Sequence, residues 1–208
     1  MPFDLWLTFV AATIALLLIP GPTVLLVLSY ALSQGKRVAV ASATGVALGD
    51  LVAMTASLAG LGALVLASAT LFTVLKWVGA AYLIYLGIKL LRSAPSAGLG
   101  PMTPSEISAR GVFWHATVIT ALNPKSIAFF IAFVPQFVTV DQPLLPQFGT
   151  LIATFVGLAG INALVYALLA DKLRQTIGKP SVIRWLTRSG GVALIGMGAM
   201  TATLRRGT

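Results

Sequence analysis

The sequence predicts an all-α integral membrane protein: six transmembrane helices arranged as two inverted three-helix repeats, with the first and fourth helices broken by proline. Three observations predict it. The 208 residues are 58% apolar and only 9% charged, whereas a soluble domain carries about 25% charged residues, so lipid is the expected solvent for most of the surface. Apolar stretches recur at roughly the 20-residue length that a bilayer core requires, separated by short polar segments. The two halves also share their punctuation. "GAAYLIYLG" (79–87) matches "GGVALIGMG" (190–198) in glycine spacing, and "IPGPT" (19–23) has a counterpart in "LNPKS" (122–126).

The first span covers residues 5–31, through "LLLIPGPTVLLVLSYAL", and "SQGKR" closes it. "MPFDLW" has no basic n-region and the apolar run is too long for an h-region, so this helix is expected to be retained rather than cleaved. Residues 38–75 hold one charge, Asp50, and are too long for one crossing and too short for two. They divide into a helix over 38–67, a tight turn at 68–70 and a third helix to 91, with Lys76 near its start reaching the interface. Residues 92–110 are polar and rich in Pro, Gly and Ser, and form the linker. Within them "TPSEI" suits a short interfacial helix, with Thr103 as cap and Pro104 in the first helical position. The fourth span runs over 112–140, interrupted at Asn123-Pro124. A turn at 141–146 leads to the fifth span (147–170), a basic loop (171–188) and the sixth span (189–204). The expected organisation is one repeat over 1–98, a cytoplasmic linker over 99–110 and a second repeat over 111–208.

Basic residues set the orientation. Lys36, Arg37, Lys89, Arg92, Arg110, Lys172, Arg174, Lys179, Arg184 and Arg188 fall on one side, against Lys76, Arg205 and Arg206 on the other. The positive-inside rule places the first group in the cytoplasm and both termini outside. Arg205 and Arg206 run against the rule and leave a five-span alternative open. The net charge of +9 is thus a topology signal; the basic residues form no single tract for nucleic acid. The absence of cysteine excludes disulfides and thiolate metal sites, and a single histidine excludes an imidazole cluster, so no metal or cofactor is expected.

Polar groups converge at mid-depth. At about 1.5 Å per helical residue, Asp50 lies about 18 Å and Lys125 about 20 Å from the inner ends of their helices. Pro22 falls near the middle of the first span. Each feature is unfavourable in a membrane helix: about 2.5–3.5 kcal/mol for a central Asp or Lys, and about 3 kcal/mol for an interior proline. Pro20, Pro22 and Pro124 release carbonyls one turn earlier, at Leu16, Leu18 and Thr120. The half-helices after Gly21-Pro22 and Asn123-Pro124 begin with free N–H groups and a partial positive charge. Such a centre suits a zwitterion. Its carboxylate would meet the half-helix ends or Lys125, and its ammonium Asp50 or the freed carbonyls. The alternative is that Asp50 and Lys125 pair and neutralise each other. Asn162, near the repeat position of Asp50, is either a further polar contact or an interhelical hydrogen bond.

Other features carry blander expectations. Gly45 and Gly49, and less regularly Gly157 and Gly160, are spaced for helix packing. Phe129, Phe130, Phe133 and Phe137 are expected to face lipid, with an outward gate as the lesser reading. Trp6, Trp77, Trp114 and Trp185 fall near span ends as interface anchors, and His115 as a snorkelling interfacial residue.

"PGPTVLLVLSYALSQGKRVAVASATGVALGD" followed by "NPKSIAFFIAFVPQFV" resembles the LysE/RhtB family of bacterial amino-acid exporters over nearly the whole chain. The Gly21-Pro22 element, the Gly45…Gly49-Asp50 element and the Asn123-Pro124-Lys125 element match in order and spacing; Arg37 departs from a common glycine. The resemblance implies a multi-pass protein of the bacterial inner membrane exporting amino acids against protons, on the branch handling threonine, homoserine and its lactone, or leucine-like substrates. The matched elements place the substrate site at Gly21, Pro22, Asp50, Asn123, Pro124 and Lys125, to which the repeat position adds Asn162, and a protonatable Asp50 can exchange its proton for a substrate ammonium. Export of basic amino acids or small amines, a passive channel and a structural subunit are alternatives. A membrane enzyme lacks a nucleophile motif. Glycine-rich faces permit a homodimer.

Overall fold

A computed structural model of the chain describes residues 1–19, 21–92, 108–139, 142–170 and 180–203. The described residues form helices and no strand: α1 (Phe3–Leu18), α2 (Pro22–Gln34), α3 (Lys36–Ala67), α4 (Ala69–Arg92), α5 (Ala109–Ala121), α6 (Pro124–Ala132), a short 3-10 helix (Val134–Phe137), α7 (Leu144–Leu168) and α8 (Pro180–Thr203). By length and composition α3, α4 and α7 each hold a stretch able to cross a membrane. The bent pairs α1–α2 and α5–α6 bring the number to five. α8, 24 residues long and carrying Arg184 and Arg188 in its first half, is not in that group.

The breaks fall where proline puts them. Pro22 and Pro124 occupy the first turns of α2 and α6, where a missing N–H removes no helical bond. The axes turn by 57° between α1 and α2 and by 44° between α5 and α6. Pro20 lies outside the described residues.

Several boundaries differ from the sequence expectation. α7 starts at Leu144 rather than at 147, because Gln147 is a buried staple inside its first turn. Its Oε1 accepts from Thr139 N (2.7 Å), and its Nε2 donates to the carbonyls of Thr139 (2.9 Å), Gln142 (3.3 Å) and Pro143 (3.1 Å). The stretch expected as a basic loop is helical from Pro180 onward. Proline starts the helix, and Arg184 and Arg188 lie on its exposed side, as charged residues do on a loop. The fourth span passes into the 3-10 helix before its expected end. The interfacial helix expected around Thr103 and Pro104, the loop 171–179 and the Arg205-Arg206 end lie outside the described residues.

α3 is the central element, packed against α5, α7, α2 and α6. Gly45 and Gly49 make that packing possible. A Cβ on Gly45 would sit 2.3 Å from the Phe113 carbonyl oxygen, and one on Gly49 2.6 Å from that of Thr117. Gly157 and Gly160 do not share this role, since a Cβ at Gly157 would meet nothing within 4 Å and one at Gly160 only Ala47 at 3.6 Å.

α4 and α8 run antiparallel along a second glycine seam with reciprocal contacts. A Cβ on Gly87 would meet the carbonyl oxygen of Gly191 at 2.6 Å and the nitrogen of Ile195 at 3.0 Å. A Cβ on Gly198 would meet the carbonyl oxygen of Ala80 at 2.8 Å and the nitrogen of Ile84 at 3.2 Å. Matching residues 79–87 onto 190–198 exchanges one set of contacts for the other. Gly87→Val and Gly198→Val are therefore expected to destabilise alike, by about 1–3 kcal/mol each. Thermal unfolding in detergent checks this, with Gly157→Ala as the near-neutral control.

Two apolar clusters divide the interior. One joins Phe9, Phe129, Phe130, Phe133, Phe137 and Phe155 with Leu16, Met54 and Leu58. The other is built of smaller residues, among them Val24, Val27, Ala39, Ala43, Val46 and Ala163. The four phenylalanines of α6 and the 3-10 helix thus face inward, at 0–2% exposure, and not lipid. Ring pairs such as Phe130–Phe155 (4.7 Å) and Phe9–Phe137 (5.2 Å) meet edge to face.

Among the tryptophans, Trp77, Trp114 and Trp185 are exposed as expected of interface anchors. Trp6 instead ties α1 to α7 by donating from its indole to Thr154 Oγ1 (3.0 Å). His115 does not simply snorkel: its Nδ1 shares a 2.8 Å hydrogen bond with the Tyr30 hydroxyl, joining α5 to α2.

Candidate functional site

Between the two clusters lies a cavity of about 30 Å³, and it gathers the polar residues of mid-chain. Gly21, Asp50, Asn123, Lys125 and Asn162 all line it, brought from the α1–α2 break, α3, the α5–α6 break and α7. Pro22 and Pro124 do not; they turn the backbone that presents their neighbours.

Asn123 caps α6. Its Oδ1 accepts from Lys125 N (3.1 Å), satisfying a first-turn donor that has no helical partner. Its Nδ2 donates to Thr23 Oγ1 (3.2 Å), so one side chain links the two helix breaks. Asn162 Nδ2 donates to the Leu17 carbonyl (3.4 Å), an interhelical hydrogen bond, and the residue lines the cavity.

Lys125 reaches toward the end of α1. Its ammonium donates to the carbonyl oxygens of Leu16 (3.2 Å) and Ile19 (3.1 Å) at the end of α1. Leu16 is the carbonyl whose helical donor would have come from position 20, where proline has no N–H. Gly21 makes room for this arrangement. Its backbone is extended (φ −123°, ψ −177°) and open to any residue, but a Cβ there would lie 3.3 Å from Lys125 Nζ.

Asp50 is 3% exposed, and its Oδ1 has no hydrogen-bond partner. No ion pair within 4.0 Å joins it to Lys125, so the two do not simply neutralise each other. The site therefore offers an unpartnered carboxyl group, two carbonyls already holding an ammonium, and amide and hydroxyl groups around them.

Sequence reasoning missed Thr23, Ser126 and Tyr166, which also line the cavity. Each had a signal. Thr23 and Ser126 follow the two breaks within the first turn of a half-helix, and Tyr166 stands four residues after Asn162 on the same helix face.

The chain matches the family model described as LysE type translocator over residues 14–204. It is 33% identical over 205 residues to a homoserine/homoserine lactone efflux protein of Salmonella typhimurium, covering 99% of both chains. It is equally similar to an uncharacterised membrane protein of Vibrio cholerae, 33% over 206 residues, covering 99% of this chain and 100% of the relative. A leucine efflux protein of Salmonella typhimurium is 28% identical over 200 residues, covering 95% of this chain and 94% of the relative. No solved structure matches the chain.

Proposed function

The chain belongs to the LysE type translocator family, and on that premise we propose that it exports neutral amino acids or close derivatives, such as homoserine, its lactone or leucine, in exchange for protons. The observation that carries this reading is the Asp50 carboxyl, buried without a partner in a cavity shared with Lys125 and the broken ends of two helix pairs. An intramembrane ionisable group facing a polar cavity marks an ion or substrate path. Homoserine lactone, named for one relative, carries an amine and no free carboxylate, so the amine is the group common to these cargoes. A carboxyl that can bind either a proton or an ammonium exchanges one for the other.

The proposed setting is the bacterial inner membrane, crossed six times, with both termini outside. Residues 1–98 and 111–208 form two inverted repeats around the site, joined by a cytoplasmic linker over 99–110. The reciprocal α4–α8 seam supports the repeat, and the packing of α8 along α4 supports reading it as the sixth span. A homodimer through exposed apolar faces is compatible with this setting.

Proteoliposomes loaded with a panel of labelled amino acids and given an imposed proton gradient test the function. Homoserine, threonine or leucine is expected to leave faster with the gradient than without it. Preferential efflux of lysine or arginine would replace the substrate class, and flux indifferent to the gradient would replace the mechanism by a passive channel.

A further inference from the structure

We propose that the carbonyl oxygens of Leu16 and Ile19 are the subsite for the ammonium of the cargo, and that Lys125 is a tethered stand-in which yields that subsite when cargo binds. The proposal rests on the export reading and refines it: the cargo's ammonium goes to the carbonyls, and the ammonium that Asp50 takes in exchange for its proton is that of Lys125. Lys125 was expected to attract the cargo's carboxylate; its geometry is that of a bound cation instead. Its Nζ lies 3.2 Å and 3.1 Å from two backbone oxygens at the end of α1, that of Leu16, which also accepts from Ile19 N (3.3 Å), and that of Ile19. These carbonyls sit at the negative end of a helix dipole, which favours a cation. They are fixed by backbone, so any primary ammonium meets the same pair that Lys125 meets.

Two further observations say that the occupant is exchangeable. Asp50, 3% exposed and with Oδ1 unpartnered, lines the same cavity, so a displaced lysine ammonium has an anion to move to. The cavity of about 30 Å³ has room for about two water molecules while Lys125 is in place, far less than an amino acid needs. Cargo therefore enters as the lysine withdraws: one ammonium replaces another at the carbonyls, Lys125 pairs with Asp50, and the proton that Asp50 gives up balances the charge the arriving ammonium brings. Gly21 keeps the passage open, since a Cβ there would press on the lysine head.

The test uses the full-length protein in detergent with n-propylammonium as probe and tetramethylammonium, which has no N–H, as control. In Lys125→Ala, n-propylammonium is expected to raise Tm saturably, at concentrations about 10-fold or more below any effect on the wild type, whose own lysine competes for the subsite. Tetramethylammonium should do nothing. Equal responses of variant and wild type, or none in a folded variant, overturn the proposal. Lys125→Met, which keeps the apolar stem, gives a second readout should Lys125→Ala fail to fold. It is expected to bind a leucine methyl ester (amine without carboxylate) more tightly than wild type and N-acetyl-leucine (carboxylate without amine) no differently. Loss of N-acetyl-leucine binding in that variant would make Lys125 the carboxylate ligand and overturn the subsite. Failure of the wild type to move any amino acid would remove the export reading, whereas the probe experiment reads the subsite alone.

Discussion

Asp50→Asn is expected to reduce proton-gradient-driven amino-acid efflux by about 100-fold, the loss that follows from removing an ionic hydrogen bond of about 3 kcal/mol. The substitution keeps the shape of the side chain and removes its charge and its proton. Asp50 lies on α3, beside the glycine seam with α5, so an isosteric amide leaves the helix packing in place. Tm in detergent should hold or rise, since a buried carboxyl without a hydrogen bond at Oδ1 gives way to a neutral group. Proteoliposome efflux with and without an imposed gradient measures the effect. A variant that retains full gradient-driven efflux would remove Asp50 from the coupling step. A variant that loses efflux together with its folded Tm would speak only to structure.

Phe129→Ala should be the most damaging single truncation in the core, by about 3–5 kcal/mol. Phe129 is fully buried and its ring meets those of Phe9, Phe130, Phe133 and Phe155. Its loss leaves a void that the neighbouring rings, each held by others, fill only in part. Denaturation by SDS titration in mixed micelles reads the change. Phe129→Leu, which refills most of the space, should recover more than half of it. Truncation of exposed Phe3 on α1 serves as the comparison, with little expected change.

The proline breaks, the central Asp50 and the long helices were legible because hydrocarbon penalises charge and interrupted backbone so heavily that any such residue stands out. Direction was not. For Phe129, Phe130, Phe133 and Phe137 the sequence supplies apolarity, but lipid and protein interior are equally apolar, so nothing in the pattern separates a lipid-facing ring from a buried one. The same limit applied to Lys125. Its depth follows from counting residues, but its turn toward Leu16 and Ile19 depends on the bend between α1 and α2. α8 was shortened for the opposite reason: Arg184 and Arg188 read as loop, although a helix can carry both on one exposed side. Tyr166 was passed over because a lone tyrosine in an apolar span signals little unless its spacing from Asn162 is noticed.

The cavity's small size has an electrical consequence. Packed rings border it on one side and close-set alanines and valines on the other, so among the described residues this cavity has no room for hydrated sodium or potassium. At this site the protein is expected to act as an insulator in this conformation. A cell could hold many copies in its envelope without dissipating the voltage that drives the rest of its traffic.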